Sequence, residues 1–115
     1  MHFQVRTDNH IENSDALAAR LRGEVEGALH GQYGDRLRRV EIYLQDVNSH
    51  KGGTDKRCSI EAHLAGLEPV VVHEIAPDVD AAVDAAVDKL SRAMEKKVDR
   101  LGDRNGRTSM SGEPT

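Results

Sequence analysis

Tryptophan is absent from this chain, and only Phe3, Tyr33 and Tyr43 carry aromatic rings. A core built from it must be aliphatic, drawn from Val, Leu, Ile and Ala. Cys58 is the only cysteine, which rules out an internal disulfide and fits a reducing compartment. No stretch approaches the roughly 18 consecutive apolar residues that a membrane span requires. The N-terminus lacks the basic segment and apolar run of a secretion signal. These absences predict a soluble, cytoplasmic protein with no membrane partner. Strong basicity is missing too: the net charge is −4, with a sequence pI near 5.8. Nucleic-acid-binding domains usually run basic, so any such contact must come from a local patch.

Motifs for catalysis and metal binding are equally scarce. The six histidines form no HxxxH or HExxH pair, and CxxC is absent. Cys58 alternates with core positions and reads as a small buried hydrophobe rather than a nucleophile. Lys51-Gly52-Gly53 is not a phosphate-binding GxxxxGK[ST] loop. Asp80, Asp84 and Asp88 recur every four residues, but a row of carboxylates lacks the convergence a hard cation needs. It reads as a solvated acidic stripe. The expectation is a protein with no metal, cofactor, small-molecule substrate or enzymatic activity.

What is present is regular. Phe3 and Val5 alternate with Gln4 and Arg6 in a first strand. Ser14 is an N-cap followed by Asp15, and Leu17, Leu21, Val25, Ala28 and Leu29 share one helical face. Arg20 and Glu24 stand four apart, able to pair along that helix. Gly31 and Gly34 lie at its end. Arg39–Asp46 and Lys56–Ala65 alternate as a hairpin around the turn-rich Asn48–Asp55 segment. Val70–Ala76 is a fourth strand whose inward face the pattern leaves open. Pro77 stops it, and Asp78 caps a long second helix with Val79, Val83, Ala86, Val87, Leu90, Met94, Val98 and Leu101 on its apolar face. That helix is expected to end near Gly102, giving a domain over 1–102 and a loose, polar tail over 103–115.

The predicted class is α+β, with element order β-α-β-β-β-α. It is a four-stranded mixed sheet with two helices packed on one face. The opposite face carries Gln4, Arg6, Glu41, Tyr43, Glu61, His63 and, if its side chain turns outward, Glu74.

Charge along the second helix changes sign. Asp78, Asp80, Asp84 and Asp88 are followed by Lys89, Arg92, Lys96, Lys97 and Arg100, with Glu95 and Asp99 interspersed. An acidic start and basic end suit the helix dipole. At about 100° per residue, Lys89, Arg92, Lys96 and Arg100 fall within about 80° of one another. Such a strip is either a grip on phosphates or a solvated helix face. On the first helix Arg20 and Arg22 point to different sides, and one of them can extend the strip. Arg36, Arg38 and Arg39 can add to one edge. Bases have only Tyr43 to stack on at the sheet, beside acidic neighbours, so the helical side is the expected RNA-binding side.

The run Asn9-His10-Ile11-Glu12-Asn13-Ser14-Asp15-Ala16-Leu17, the strand Arg57-Cys58-Ser59-Ile60-Glu61-Ala62, and Val79-Asp80-Ala81-Ala82-Val83-Asp84 with Val87-Asp88-Lys89-Leu90 resemble segments of the ribosome hibernation-promoting factor family, which includes the ribosome-associated inhibitor. The resemblance spans about residues 1–104. It implies a short form without the C-terminal dimerisation domain, hence a monomer. The implied partner is the small ribosomal subunit and its RNA, bound in the channel of messenger and transfer RNA, with translation silenced under stress. Carried onto this sequence, the implied RNA-binding residues are Lys89, Arg92, Lys96 and Arg100, then Lys97, Arg20 and Arg22. The alternative is a protein-interaction module of the same fold that binds no RNA, working through the acidic sheet face or an exposed fourth strand.

Overall fold

The computed structural model describes residues 1–47 and 55–110. Their order is β1 (His2–Thr7), α1 (Asp15–Tyr33), a 3₁₀ turn (Gly34–Arg36), β2 (Leu37–Asp46), β3 (Lys56–Leu64), β4 (Val70–Ala76) and α2 (Val79–Met110). The strands lie in spatial order β1-β2-β3-β4. β1 runs parallel to β2, as a helical crossover requires, and the remaining pairs are antiparallel. This is the α+β arrangement expected from the alternation of periods. Most of the turn-rich segment between β2 and β3 lies outside the described residues.

Strand alternation decides which face is covered. Val40, Ile42 and Leu44 of β2 stand beside Ala62, Ile60 and Cys58 of β3, and all six are buried. Val72 continues this layer on β4. Leu21, Val25 and Leu29 of α1 and Ala82, Val83, Ala86, Leu90 and Met94 of α2 close over it. Each fully buried aliphatic side chain contributes on the order of 1.5–3 kcal/mol relative to exposure. The core is not purely aliphatic, however. Tyr33 is 5% exposed at the end of α1, and its hydroxyl has no partner among the described residues. Burial, and then the nearby charges of Glu95 and Asp99, push that hydroxyl upward in pKa.

Local signals work as their chemistry predicts at the helix starts. Ser14 Oγ accepts from Leu17 N–H at 3.1 Å, and Asp78 Oδ1 accepts from Ala81 N–H at 2.8 Å. Gly34 ends α1 with φ at +51°, a backbone state that favours glycine, whereas Gly31 is still helical. Asp8 ties the two parallel strands together: its carboxylate accepts from Asp46 N–H at 2.8 Å and His10 N–H at 2.9 Å.

Three expectations are corrected. Ala28 is exposed rather than part of the core. Arg20 forms its close ion pair with Asp80 of α2 and only attracts Glu24 through space, because the neighbouring helix brings a carboxylate closer than its own next turn does. The helix α2 continues to Met110 rather than ending near Gly102, so backbone expected as loose tail is helical. Glycine in a helix costs only about 1 kcal/mol and does not by itself stop one. Proline does, and none occurs between Pro77 and Pro114.

Candidate nucleic-acid interface

The helices run side by side in the same direction. Arg20 stands against Asp80, Glu24 against Asp84, and Tyr33 near Glu95 and Asp99. The acidic row of α2 therefore borders α1 while staying exposed to solvent, as a solvated stripe. Glu24 is held above the usual carboxylate range, first by burial and then by the charge of Asp84 and a hydrogen bond to it. Glu24, Ala28, Asp84, Val87, Asp88 and Ser91 line the open groove between the helices.

At about 100° per residue, Asp80 lies on the side of α2 opposite Lys89. The basic strip thus points away from α1 and toward the outer edge of β4. Lys89, Arg92 and Lys96 line one shallow depression of about 330 Å³ around Ala93. Arg100 is exposed one helical turn beyond Lys96, and Lys97 is half-buried to one side. Five of the seven candidate residues belong to this ridge. Arg20 and Arg22 do not join it, since α1 packs on the other side of α2; Arg22 pairs with Glu26 on its own helix at 3.3 Å.

Carboxylates restrain two of the five ridge cations. Lys89 Nζ lies 3.4 Å from Glu74 Oε2 and donates to the His73 carbonyl at 3.3 Å. Arg92 lies 3.0 Å from Asp88 one turn earlier. Both pairs are solvent-exposed, with Arg92 and Asp88 each more than two-thirds accessible. Exposed pairs contribute about 0–1 kcal/mol, so a phosphate can replace the carboxylate at little cost. Lys96, Lys97 and Arg100 have no ion-pair partner among the described residues. Among the described residues the ridge therefore offers unpaired cations at its far end and exchangeable ones near β4.

The outer sheet face is more nearly neutral than composition suggested. Arg39 pairs with Glu41, His63 Nε2 contacts Glu61 at 2.7 Å, and the Arg6 guanidinium sits 5.3 Å from the Tyr43 ring centre. Glu74 is not on this face: its register opposite Cys58 turns it toward α2 and Lys89. That side of Val70–Ala76 was illegible because apolar residues occupy both of its faces. Ser59 Oγ lies 3.0 Å from His73 Nδ1, the one hydroxyl–imidazole contact among the described residues. It stands on an open strand pair, and no carboxylate among the described residues meets the other ring nitrogen, so it lacks the third member that activates such a nucleophile. Among the described residues no cluster of His, Cys, Asp or Glu is arranged to hold a metal ion. No helix among them is long and apolar enough to cross a membrane.

Comparison with known proteins agrees with this fold. The profile of the family described as sigma 54 modulation protein / S30EA ribosomal protein matches residues 4–102. The N-terminal domain of Protein Y from Thermus thermophilus is similar in structure, with 25% identity, a TM-score of 0.68, and coverage of 84% of this chain and 98% of that one. A ribosomal subunit interface protein from Coxiella burnetii shares the fold, with 23% identity, a TM-score of 0.63, and coverage of 84% and 97%. No curated protein sequence matches.

Proposed function

Because the chain belongs to the sigma 54 modulation protein / S30EA ribosomal protein family, we infer that it associates with the ribosome by laying the basic ridge of α2 on RNA of the small subunit. There it occupies the channel of messenger and transfer RNA and silences translation under stress, as a single copy. The observation that carries this reading is the outward row Lys89, Arg92, Lys96 and Arg100, whose last two members are exposed and have no ion-pair partner among the described residues. Lys97 flanks the row. Arg20 and Arg22 are peripheral to it.

The mechanism is competition by occupancy. The sheet and α1 hold α2 rigid through its buried face, so its cations are presented without ordering a flexible segment on binding. Neutralising phosphates releases counterions, which supplies affinity without reading sequence. Position, rather than base identity, then decides what is blocked. No bond is made or broken, so no catalytic residue is required. A net charge of −4 suits this use, because carboxylates elsewhere disfavour attachment to RNA that does not match the ridge.

Sedimentation of the purified protein with small subunits across a salt series tests the proposal. The logarithm of affinity should fall linearly with the logarithm of salt concentration, at a slope of roughly 0.7–0.9 per neutralised phosphate. Lys96→Glu combined with Arg100→Glu should abolish co-sedimentation while leaving the thermal midpoint intact. Unchanged co-sedimentation of a folded double variant would overturn the assignment.

A further inference from the structure

The two free edges of the sheet are not alike. On β1, Asn13 Nδ2 reaches over to donate to the Val5 carbonyl at 3.1 Å. On β4, the backbone is open and its flank is apolar. Val71 is 52% and Ile75 57% exposed, the two largest values among the described large hydrophobic residues.

Ladder parity shows which groups point outward. Val47 N–H donates to Asp55 C=O at 3.2 Å, so odd-numbered residues of β3 bond toward β2 and even-numbered ones toward β4. Ile60 and Cys58 therefore hold Val72 and Glu74. The N–H and C=O of Val71, His73 and Ile75 are left facing the open edge. The Lys89 hydrogen bond to the His73 carbonyl agrees with this assignment.

We propose that the β4 edge accepts an extended segment of a partner protein whose side chains alternate between apolar and acidic. A strand added there places every second side chain on the outer face, beside Val71 and Ile75, where burial rewards an apolar residue. The intervening side chains fall on the helix side, under Lys89 and Arg92, where charge complementarity selects carboxylates. Lys89 is the gate. An incoming N–H takes the His73 carbonyl from its ammonium, and an incoming carboxylate replaces that lost contact. Without a partner, Lys89 guards the edge against indiscriminate pairing, a usual task of lysine at such positions. This surface shares Lys89 and Arg92 with the ridge, but its affinity comes from the strand edge and does not depend on RNA binding.

The test is amide NMR of the full chain titrated with the synthetic peptide Ser-Glu-Val-Glu-Val-Glu-Val-Glu-Ser. Shifts and slowed hydrogen exchange should concentrate at Val71, His73 and Ile75. Binding should weaken by about tenfold or more when Lys replaces Glu in the peptide, when its alternate backbone nitrogens are methylated, and with Ile75→Lys in the protein. Absence of shifts at millimolar peptide would overturn the proposal, as would equal binding of the Lys or N-methylated peptide. Concentration-dependent shifts at the same amides without peptide would assign the edge to a second copy and overturn it equally. Because none of these readouts involves ribosomes, they separate this surface from the function proposed for the ridge.

Discussion

Arg20 Nη2 lies 2.8 Å from Asp80 Oδ1, joining the second turn of α1 to the first turn of α2. This contact takes Arg20 out of the basic ridge and gives it a partner across the helix pair. It also aligns the two helices so that Glu24 meets Asp84.

Replacing Arg20 should therefore have little effect on the ridge. Both partners are more than half exposed, and exposed pairs are worth about 0–1 kcal/mol. Arg20→Ala should shift the urea midpoint only slightly and leave salt-dependent ribosome co-sedimentation at the wild-type level. A loss of binding comparable to that of Lys96→Glu would return Arg20 to the interface.

The carboxyl contact beside it carries a pH signature. Glu24 is raised in the folded protein, so the folded state holds a proton more tightly than the unfolded chain does. Stability contributed at this site is thus lost as pH rises through the raised value and regained below the ordinary glutamate range. Glu24→Gln should raise the denaturation midpoint at pH 7, and the gain should shrink toward pH 4. A gain that is constant with pH would point to packing instead of charge.

Cys58 should be inert in the native protein. It is fully buried, and burial pushes its thiol up to about 12. A disulfide exchange reagent should leave it unmodified in buffer at pH 8 and label one thiol per chain in denaturant. Rapid labelling without denaturant would contradict its place opposite Leu44.

Leu90 tests the coupling of ridge to core, since it is fully buried on the turn between Lys89 and Arg92. Leu90→Ala should cost about 2–5 kcal/mol in urea unfolding. Ribosome binding should persist wherever the variant remains folded, because every cation of the ridge is retained. Loss of binding by a fully folded variant would show that the ridge depends on this packing for its shape.

Periodicity made most of the fold legible. The alternation in Arg39–Asp46 and Lys56–Leu64 fixed their inward faces, and the same parity buried Cys58. Ser14 and Asp78 marked helix starts because their side chains satisfy N–H groups a few residues away, an interaction that is local in sequence. Val70–Ala76 was unreadable in the same terms, having valine on both faces. Its orientation follows from pairing with β3. The four-residue basic row on α2 was also visible, as a consequence of helical angle alone. Arg20 and Arg22 were harder, because the angle of α1 says nothing about which side of α2 it packs against.

Local rules acting over a few residues, namely alternation, capping and the angular position of charge, were enough to specify the order of the elements, most of the core and a coherent cationic row. Which of those cations remain free, which carboxylates restrain them, and which strand edge stays open depended on contacts between residues far apart in the chain. Glu74 reaches Lys89 only because β4 lies under α2, and Asp80 reaches Arg20 only because the helices run parallel. Such contacts arise from packing two layers against each other, and no local pattern in the chain encodes them.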